Sequence, residues 1–473
     1  MKAFKIKPDW QAIAIILITG FISLTGCLVG PKYKQPKTPK LETANLDSMA
    51  AKTDTSALVA WTEIYKDPEL TSLIRTVLSS NFDLLTALSR IDEARAQYGI
   101  DRSVVFPSLG YALSARSNQY GKNALLPNPG QNNDMFKATA TFSWEIDLFG
   151  KLRHQKRASM ASVLAAANNA QALKVSLIAE TATLYFNLRD LDNRLEIAKA
   201  TVDIRKKSLE VITHRFEKGY VSELDQLQAQ QQLSQVEAMV PNLERQIISV
   251  QNALRILTGL PPGKIARGND NYNQQLPAQI PVGLTSDLVR RRNDIVVAEQ
   301  NLIAQTEMIG VATAMRFPSI QLTSFLGVVS PQLNNLLDPG SLAMGVTGGL
   351  FGPIFEFGKN KNRVVIQKQR AEQLSFQYQK VVLNAFAEVD NSLAAIKTYE
   401  VEYAANQAEL MASQKAYKLT EARYDNGYSN YLELLNQQNN LLSVQINESV
   451  TKKQQNIAVV NLFKALGGGW DAN

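Results

Sequence analysis

The chain has few thiol or imidazole groups for nucleophilic or metal chemistry: one cysteine, Cys27, and two histidines, His154 and His214. A single thiol forms neither an intrachain disulfide nor a thiolate cluster. The histidines stand far apart, each among charged neighbours, and neither joins a Cys, Asp or Glu at metal-ligand spacing. Both are expected at exposed helix positions. No glycine-rich phosphate loop and no nucleophile elbow occurs, so nothing marks an enzyme and no cofactor is implied. The chemistry open to Cys27 is acylation, on its sulfur and, if the chain is cleaved before it, on its new amino group.

The residues around Cys27 favour that chemistry. Lys2, Lys5 and Lys7 precede an apolar run from Ala12 to Leu24. The run is short for a membrane span, which needs about 20 apolar residues, and suits a secretory signal. It ends in Leu24-Thr25-Gly26-Cys27, which resembles the bacterial lipobox. Residues 1–26 are therefore expected to be a lipoprotein signal peptide and Cys27 the lipid attachment site. Acyl chains anchor at about 0.8 kcal/mol per buried CH₂. In lipoproteins an Asp after the cysteine favours inner-membrane retention; Leu28 stands here, pointing to the outer membrane. The following stretch, rich in proline and lysine, reads as an extended tether within residues 27–60.

The remainder must supply the framework. A hydrophobic content of 45% with 20% charged residues fits a folded chain. The net charge of +7 comes from 50 basic and 43 acidic residues, interspersed without a dense basic stripe. That is a solvated mixed surface and gives no sign of nucleic-acid binding.

Four phrases recur in order at nearly one offset. Phe106-Pro107-Ser108-Leu109 returns as Phe317-Pro318-Ser319-Ile320, and Leu148-Phe149-Gly150-Lys151 as Glu356-Phe357-Gly358-Lys359. Arg215-Phe216-Glu217-Lys218-Gly219-Tyr220 returns as Arg423-Tyr424-Asp425-Asn426-Gly427-Tyr428, and Asn252-Ala253-Leu254 as Asn461-Leu462-Phe463. The offset, between 208 and 211, implies duplication of a domain-sized unit. The copies are expected over residues 61–260 and 285–470, joined by a linker over 261–284.

Each copy has one internal plan. A helix opens it, over 69–105 and 285–316, and ends at the Phe-Pro step because proline disfavours helical geometry in the residue before it. Two strands follow, near 109–119 and 136–149 in the first copy and 320–329 and 341–355 in the second. Phe142, Trp144, Ile146 and Leu148 alternate with Thr141, Ser143, Glu145 and Asp147. That alternation fits a sheet on a soluble core and a lipid-facing barrel strand equally well. Then residues 151–218 and 359–426 contain neither glycine nor proline. Helices of this length reach about 100 Å and are too charged to be membrane spans. Leu184, Leu188, Leu191, Leu195, Ala198 and Val202 keep a coiled-coil rhythm, and Leu209, Ile212 and Phe216 continue it after Arg205. Return helices are expected over 221–259 and 430–466, with hairpin turns at Gly219 and Gly427. Four strands per chain cannot close a barrel, so strands in lipid would have to be pooled between chains.

The segments Trp61 to Leu70, Ala96 to Leu109, Trp144 to Gly150, Gly283 to Glu299, Phe317 to Leu322, Arg423 to Leu435 and Lys464 to Trp470 together resemble the outer-membrane factor (TolC/OprM-like) family, in its lipoprotein branch from tripartite multidrug efflux systems. The resemblance spans essentially the whole mature chain. It implies a mainly α protein with a transmembrane β-barrel: a homotrimer whose twelve-stranded barrel, four strands per chain, lies in the outer membrane on a long periplasmic α-helical barrel. An equatorial belt would come from residues 41–67, 261–281 and the C-terminus. The implied function is passive conduction of small molecules. The implied partners are a periplasmic adaptor, an inner-membrane pump, proton-driven, and outer-membrane lipid. The family also includes polypeptide-secretion ducts, and a coiled-coil scaffold without a pore would share the helical pattern. Carried over by position, the resemblance assigns the channel gate to Asp225, Tyr424 and Glu433. It assigns adaptor contact at the tips to Arg215, Gly219, Arg423 and Gly427. Ser429 and Asn436 stand where family members can carry charged gate residues, which implies a differently bonded gate.

Replacement of Cys27 by Ser is expected to abolish acyl labelling in cells fed a radiolabelled fatty acid; persistent labelling would refute the lipobox reading.

Overall fold

The computed structural model describes residues 28–36, 67–119, 132–268 and 291–468. Cys27, the signal peptide, most of the tether and linker, and the loop at 121–130 lie outside the described residues. The chain forms two compact units. One comprises Arg90–Ala166 and Val297–Tyr378 with residues 28–36; the other comprises Ala167–Val296 and Gln379–Asn473 with the residues leading up to Ser89.

In the first unit the four strands form one antiparallel sheet in the order β1 (Ser108–Gln119), β2 (Asn132–Ile146), β3 (Ser319–Ser330), β4 (Leu342–Phe351). The central pairing joins the two sequence repeats, with Trp144 opposite Leu322 and Ile146 opposite Ile320. Register places Leu109 beside Phe142, Leu326 beside Ala140 and Met344 beside Leu326, so most of the large apolar residues of the four strands share one face. Lys137, Thr141, Ser143, Gln321, Thr323 and Thr347 share the other. The apolar face is open: Leu109, Tyr111, Met344 and Val346 are each more than three-quarters exposed. A soluble core would cover these side chains; here they stand outward, which decides between the two sequence alternatives. Both edge strands, β1 and β4, lack a second neighbour within the sheet.

The same unit holds the stretch after Cys27. Residues 28–36 form no helix or strand and are laid against neighbouring elements. Tyr33 donates to Glu299 at 2.8 Å, Gln35 donates to the Tyr378 hydroxyl at 3.0 Å, and Val29 N–H donates to Phe149 O at 3.3 Å. His154 departs from expectation. It is 2% exposed, with Nδ1 2.5 Å from Glu307 Oε2 and Nε2 3.1 Å from the Val29 carbonyl. Its charged neighbours suggest solvent, but Gly310 leaves the hollow that the ring fills; a Cβ there would lie 2.5 Å from the imidazole. His214 is exposed, as expected.

In the second unit α1 (Pro68–Ser80) starts where the Asp67 carboxylate accepts from Glu69 N–H at 2.9 Å, with Pro68 in the first turn. The single opening helix expected over 69–105 is two helices, because Asn81 interrupts it before α2 (Phe82–Ser103). Buried Asn81 accepts from Leu84 N–H and donates to the Leu257 carbonyl, each at 3.0 Å. The long helices α3 (Lys151–Glu217) and α6 (Lys359–Asp425) have 67 residues each, and the returning α4 (Glu223–Leu257) and α7 (Tyr431–Ala465) have 35 each. In the second copy α5 (Asn293–Ala314) precedes β3. The coiled-coil seam is realised as buried Leu188, Leu191 and Ala198 of α3 against Leu243, Ile247 and Leu254 of α4. Pro241 sits inside α4 without ending it. It removes one donor, but Pro241 and Glu237 are both exposed, so water can serve the freed carbonyl.

Replacing Asn81 by Ala deletes a cap and orphans a buried carbonyl, a loss of about 1–3 kcal/mol. Thermal unfolding should show a lower midpoint for Asn81→Ala, and at least as large a fall for Asn81→Asp, which keeps the cap acceptor but sets a buried carboxylate against the Leu257 carbonyl.

Candidate gate at the hairpin tips

Both hairpins turn by the same bonds. Gly219 and Gly427 have φ of +75° and +77°, a left-handed geometry in which any Cβ would be strained. Around them Gly219 N–H donates to Phe216 O at 2.8 Å and Tyr220 N–H to Arg215 O at 2.9 Å. In the second copy Gly427 N–H donates to Tyr424 O at 3.1 Å and Tyr428 N–H to Arg423 O at 2.8 Å. A Cβ at either glycine would meet open space, so conformation and not crowding selects glycine.

The return helices begin on matched caps of different strength. In the first hairpin Ser222 and Asp225 form a reciprocal capping box: the Asp225 carboxylate accepts from Ser222 N–H at 3.0 Å and from its hydroxyl at 2.8 Å. In the second, Asn430 accepts from Glu433 N–H at 2.8 Å, and the Glu433 carboxylate forms no hydrogen bond or ion pair among the described residues. Of the two acids at corresponding positions, one is engaged by its own helix and the other is left available.

Tyr424 brings elements of both hairpins together. It is buried with Ile212, Ala229, Tyr431, Leu434 and Leu435. The Arg215 guanidinium lies over its ring, 4.7 Å from the centroid, and the Tyr431 ring is 6.1 Å away. Burial raises the pKa of both tyrosines, while the Arg215 charge pulls that of Tyr424 back down. Neither hydroxyl has a hydrogen-bond partner of ordinary geometry among the described residues. Arg423 is exposed and donates to the Tyr428 carbonyl at 3.2 Å, so the two tip arginines have different surroundings.

One residue absent from the sequence candidates stands above this cluster. Arg205 is 1% exposed; its Nη1 donates to Gln438 Oε1 at 2.6 Å and its Nη2 to Asn439 Oδ1 at 2.8 Å. Burial lowers its pKa. It borders a cavity of about 290 Å³ with Tyr417, whose hydroxyl donates to Glu421 at 2.5 Å and whose pKa burial pushes up to about 12. The signal was the seam itself: Arg205 falls on an apolar phase three residues after Val202.

Comparisons with known proteins agree with this architecture. The family described as outer membrane efflux protein matches residues 73–260 and again residues 284–468. The toluene efflux pump outer membrane protein TtgF of Pseudomonas putida is 30% identical, over 95% of this chain and 95% of its own length. A membrane protein from Pseudomonas aeruginosa of known crystal structure is 30% identical with a TM-score of 0.86, covering 94% of this chain and 99% of that one. The Campylobacter jejuni CmeC outer membrane channel is 25% identical with a TM-score of 0.86, over 94% of this chain and 95% of that one.

Removing the Ser222 hydroxyl should cost about 1 kcal/mol at the first hairpin alone. In Ser222→Ala, hydrogen exchange should quicken at the first-turn amides of α4 and stay unchanged in α7; equal protection in both forms would contradict the capping box.

Proposed function

Since the chain belongs to the outer membrane efflux protein family, we propose that three copies close into one outer-membrane efflux channel, shut at rest by the hairpin tips. The observation that carries this reading is the sheet: four strands, an exposed apolar face, a polar face behind it, and two open edges. Open edges have no place in hydrocarbon, so each β1 pairs with the β4 of a neighbouring copy. Two copies of four strands would make a barrel whose interior side chains fill; three make twelve strands and leave a water-filled bore. The polar face, with Lys137, Thr141, Ser143 and Thr323, then lines the bore, and Leu109, Tyr111, Met344 and Val346 meet lipid.

Transport through such a bore is passive. A periplasmic adaptor docks at the tips around Arg215, Gly219, Arg423 and Gly427, and an inner-membrane, proton-driven pump supplies the energy. The substrates are small molecules. Cys27, acylated at the mature N-terminus, adds a lipid anchor. The gate is built on Tyr424, which holds the two hairpins of one copy together through Arg215 and its apolar neighbours. Asp225 and Glu433 supply the acids of the gate, Glu433 with its carboxylate free for a partner and Asp225 by exchanging its cap.

Purified protein in planar bilayers should show discrete conductance steps; a scaffold without a pore would give none. Tyr424→Ala, which removes the ring that Arg215 covers, combined with Asp225→Ala should raise conductance severalfold, while Ser222→Ala, which frays the same helix start but keeps both gate groups, should not. Conductance unchanged in the double variant would sink the gate assignment.

A further inference from the structure

We infer that Gly345 is a seat that holds the Phe325 ring flat against the barrel wall, so that this glycine sets the free width of the bore at mid-strand. The inference rests on the reading of the polar sheet face as the lining of the bore. Phe325 is the aromatic member of that face at mid-strand; Phe351, the other, stands at the end of β4. Register puts it between Thr141 on β2 and Gly345 on β3's other neighbour, β4, among threonines, serines and glutamine. A large aromatic side chain in a conduit must either stand into the passage or lie down along the wall. Here it lies down. A Cβ built on Gly345 would be 2.5 Å from Phe325 Cε1 and 3.0 Å from Cζ, so the ring occupies the volume that any other residue would need. Ordinary carbon contacts are about 3.5–4.0 Å. Glycine weakens a strand interior, and its presence there marks a close approach.

On the opposite side stands the β-branched Thr141, where β4 offers a bare glycine, and the Lys137 ammonium lies over the ring, 5.5 Å from its centroid. A ring displaced from Gly345 therefore has one direction open, away from the wall. With three copies around the barrel, three rings would rise at one level. Phe325 over Gly345 also shields the backbone of the edge strand β4, as aromatic residues do for glycines in strands. That role alone would affect stability and leave passage unaltered, which separates the two consequences by experiment.

The test asks whether a probe entering from the far end of the barrel passes position 325. Gln321 lies on the same face of β3, about 13 Å nearer the end from which α3 and α5 run. Gln321→Cys, in the full-length protein in intact cells, is treated from outside with methanethiosulfonate reagents of graded size. The chain without this substitution, carrying only Cys27, sets the background. All sizes should label Gln321→Cys. Adding Gly345→Ala should abolish labelling by the largest reagent and spare the smallest, which also shows that the barrel has formed. Adding Phe325→Ala to that pair should restore the largest. Undiminished labelling with Gly345→Ala, or a loss that Phe325→Ala does not reverse, would overturn the seat while leaving the bore intact. Labelling of Leu322→Cys, on the apolar face, in place of Gln321→Cys would overturn the bore reading and the seat together.

Discussion

A backbone amide left unpaired in hydrocarbon costs several kcal/mol, and a row of them is prohibitive. The structure is organised by that constraint. Its sheet has four strands and two free edges, so the chain is incomplete as a membrane body. The pairing of β2 with β3 is the step that makes the sheet four strands wide and not two separate hairpins, and it fuses the two repeats. Everything polar on one side and apolar on the other follows from the single register these pairs set.

The helical part solves a different problem by different means. Its long helices are charged on their outer faces and held by a heptad seam, with Leu188, Leu191 and Ala198 meeting Leu243, Ile247 and Leu254. Where α3 buries a polar residue, α7 supplies its partners. Buried Arg205 is met by two amide oxygens. Asp190, equally buried, accepts from Ser449 and pairs with Lys453. Such groups add specificity of pairing more readily than stability, since desolvation offsets much of their attraction.

Most of the architecture is legible in the sequence because its periodicities are long and uninterrupted. Absence of glycine and proline over 151–218 and 359–426 bounds α3 and α6 to within a residue, and the two glycines fix the turns. What escapes is set by partners remote along the chain. Asn81 breaks a continuous helical pattern because the carbonyl of Leu257 is there to receive it. His154 is buried because Gly310 makes room. Whether the apolar face of β2 packs on a soluble core or faces outward is not written in β2 alone; it shows in the other three strands, which bare apolar residues on the same face. At the tips, the Ser222-x-x-Asp225 spacing is itself a readable capping signal, whereas the stacking of Arg215 on Tyr424 joins hairpins from different repeats and leaves no local trace.

The matched lengths of the helices carry a consequence for how such a chain can change over time. Both outgoing helices have 67 residues and both returning ones 35. Deleting one residue from a single helix would shift its end by about 1.5 Å and turn every later side chain by roughly 100°, taking the seam out of phase. A one-residue insertion or deletion in one helix therefore breaks the length match between the copies unless the other helices change with it, and the duplication acts as a ruler for each copy's length.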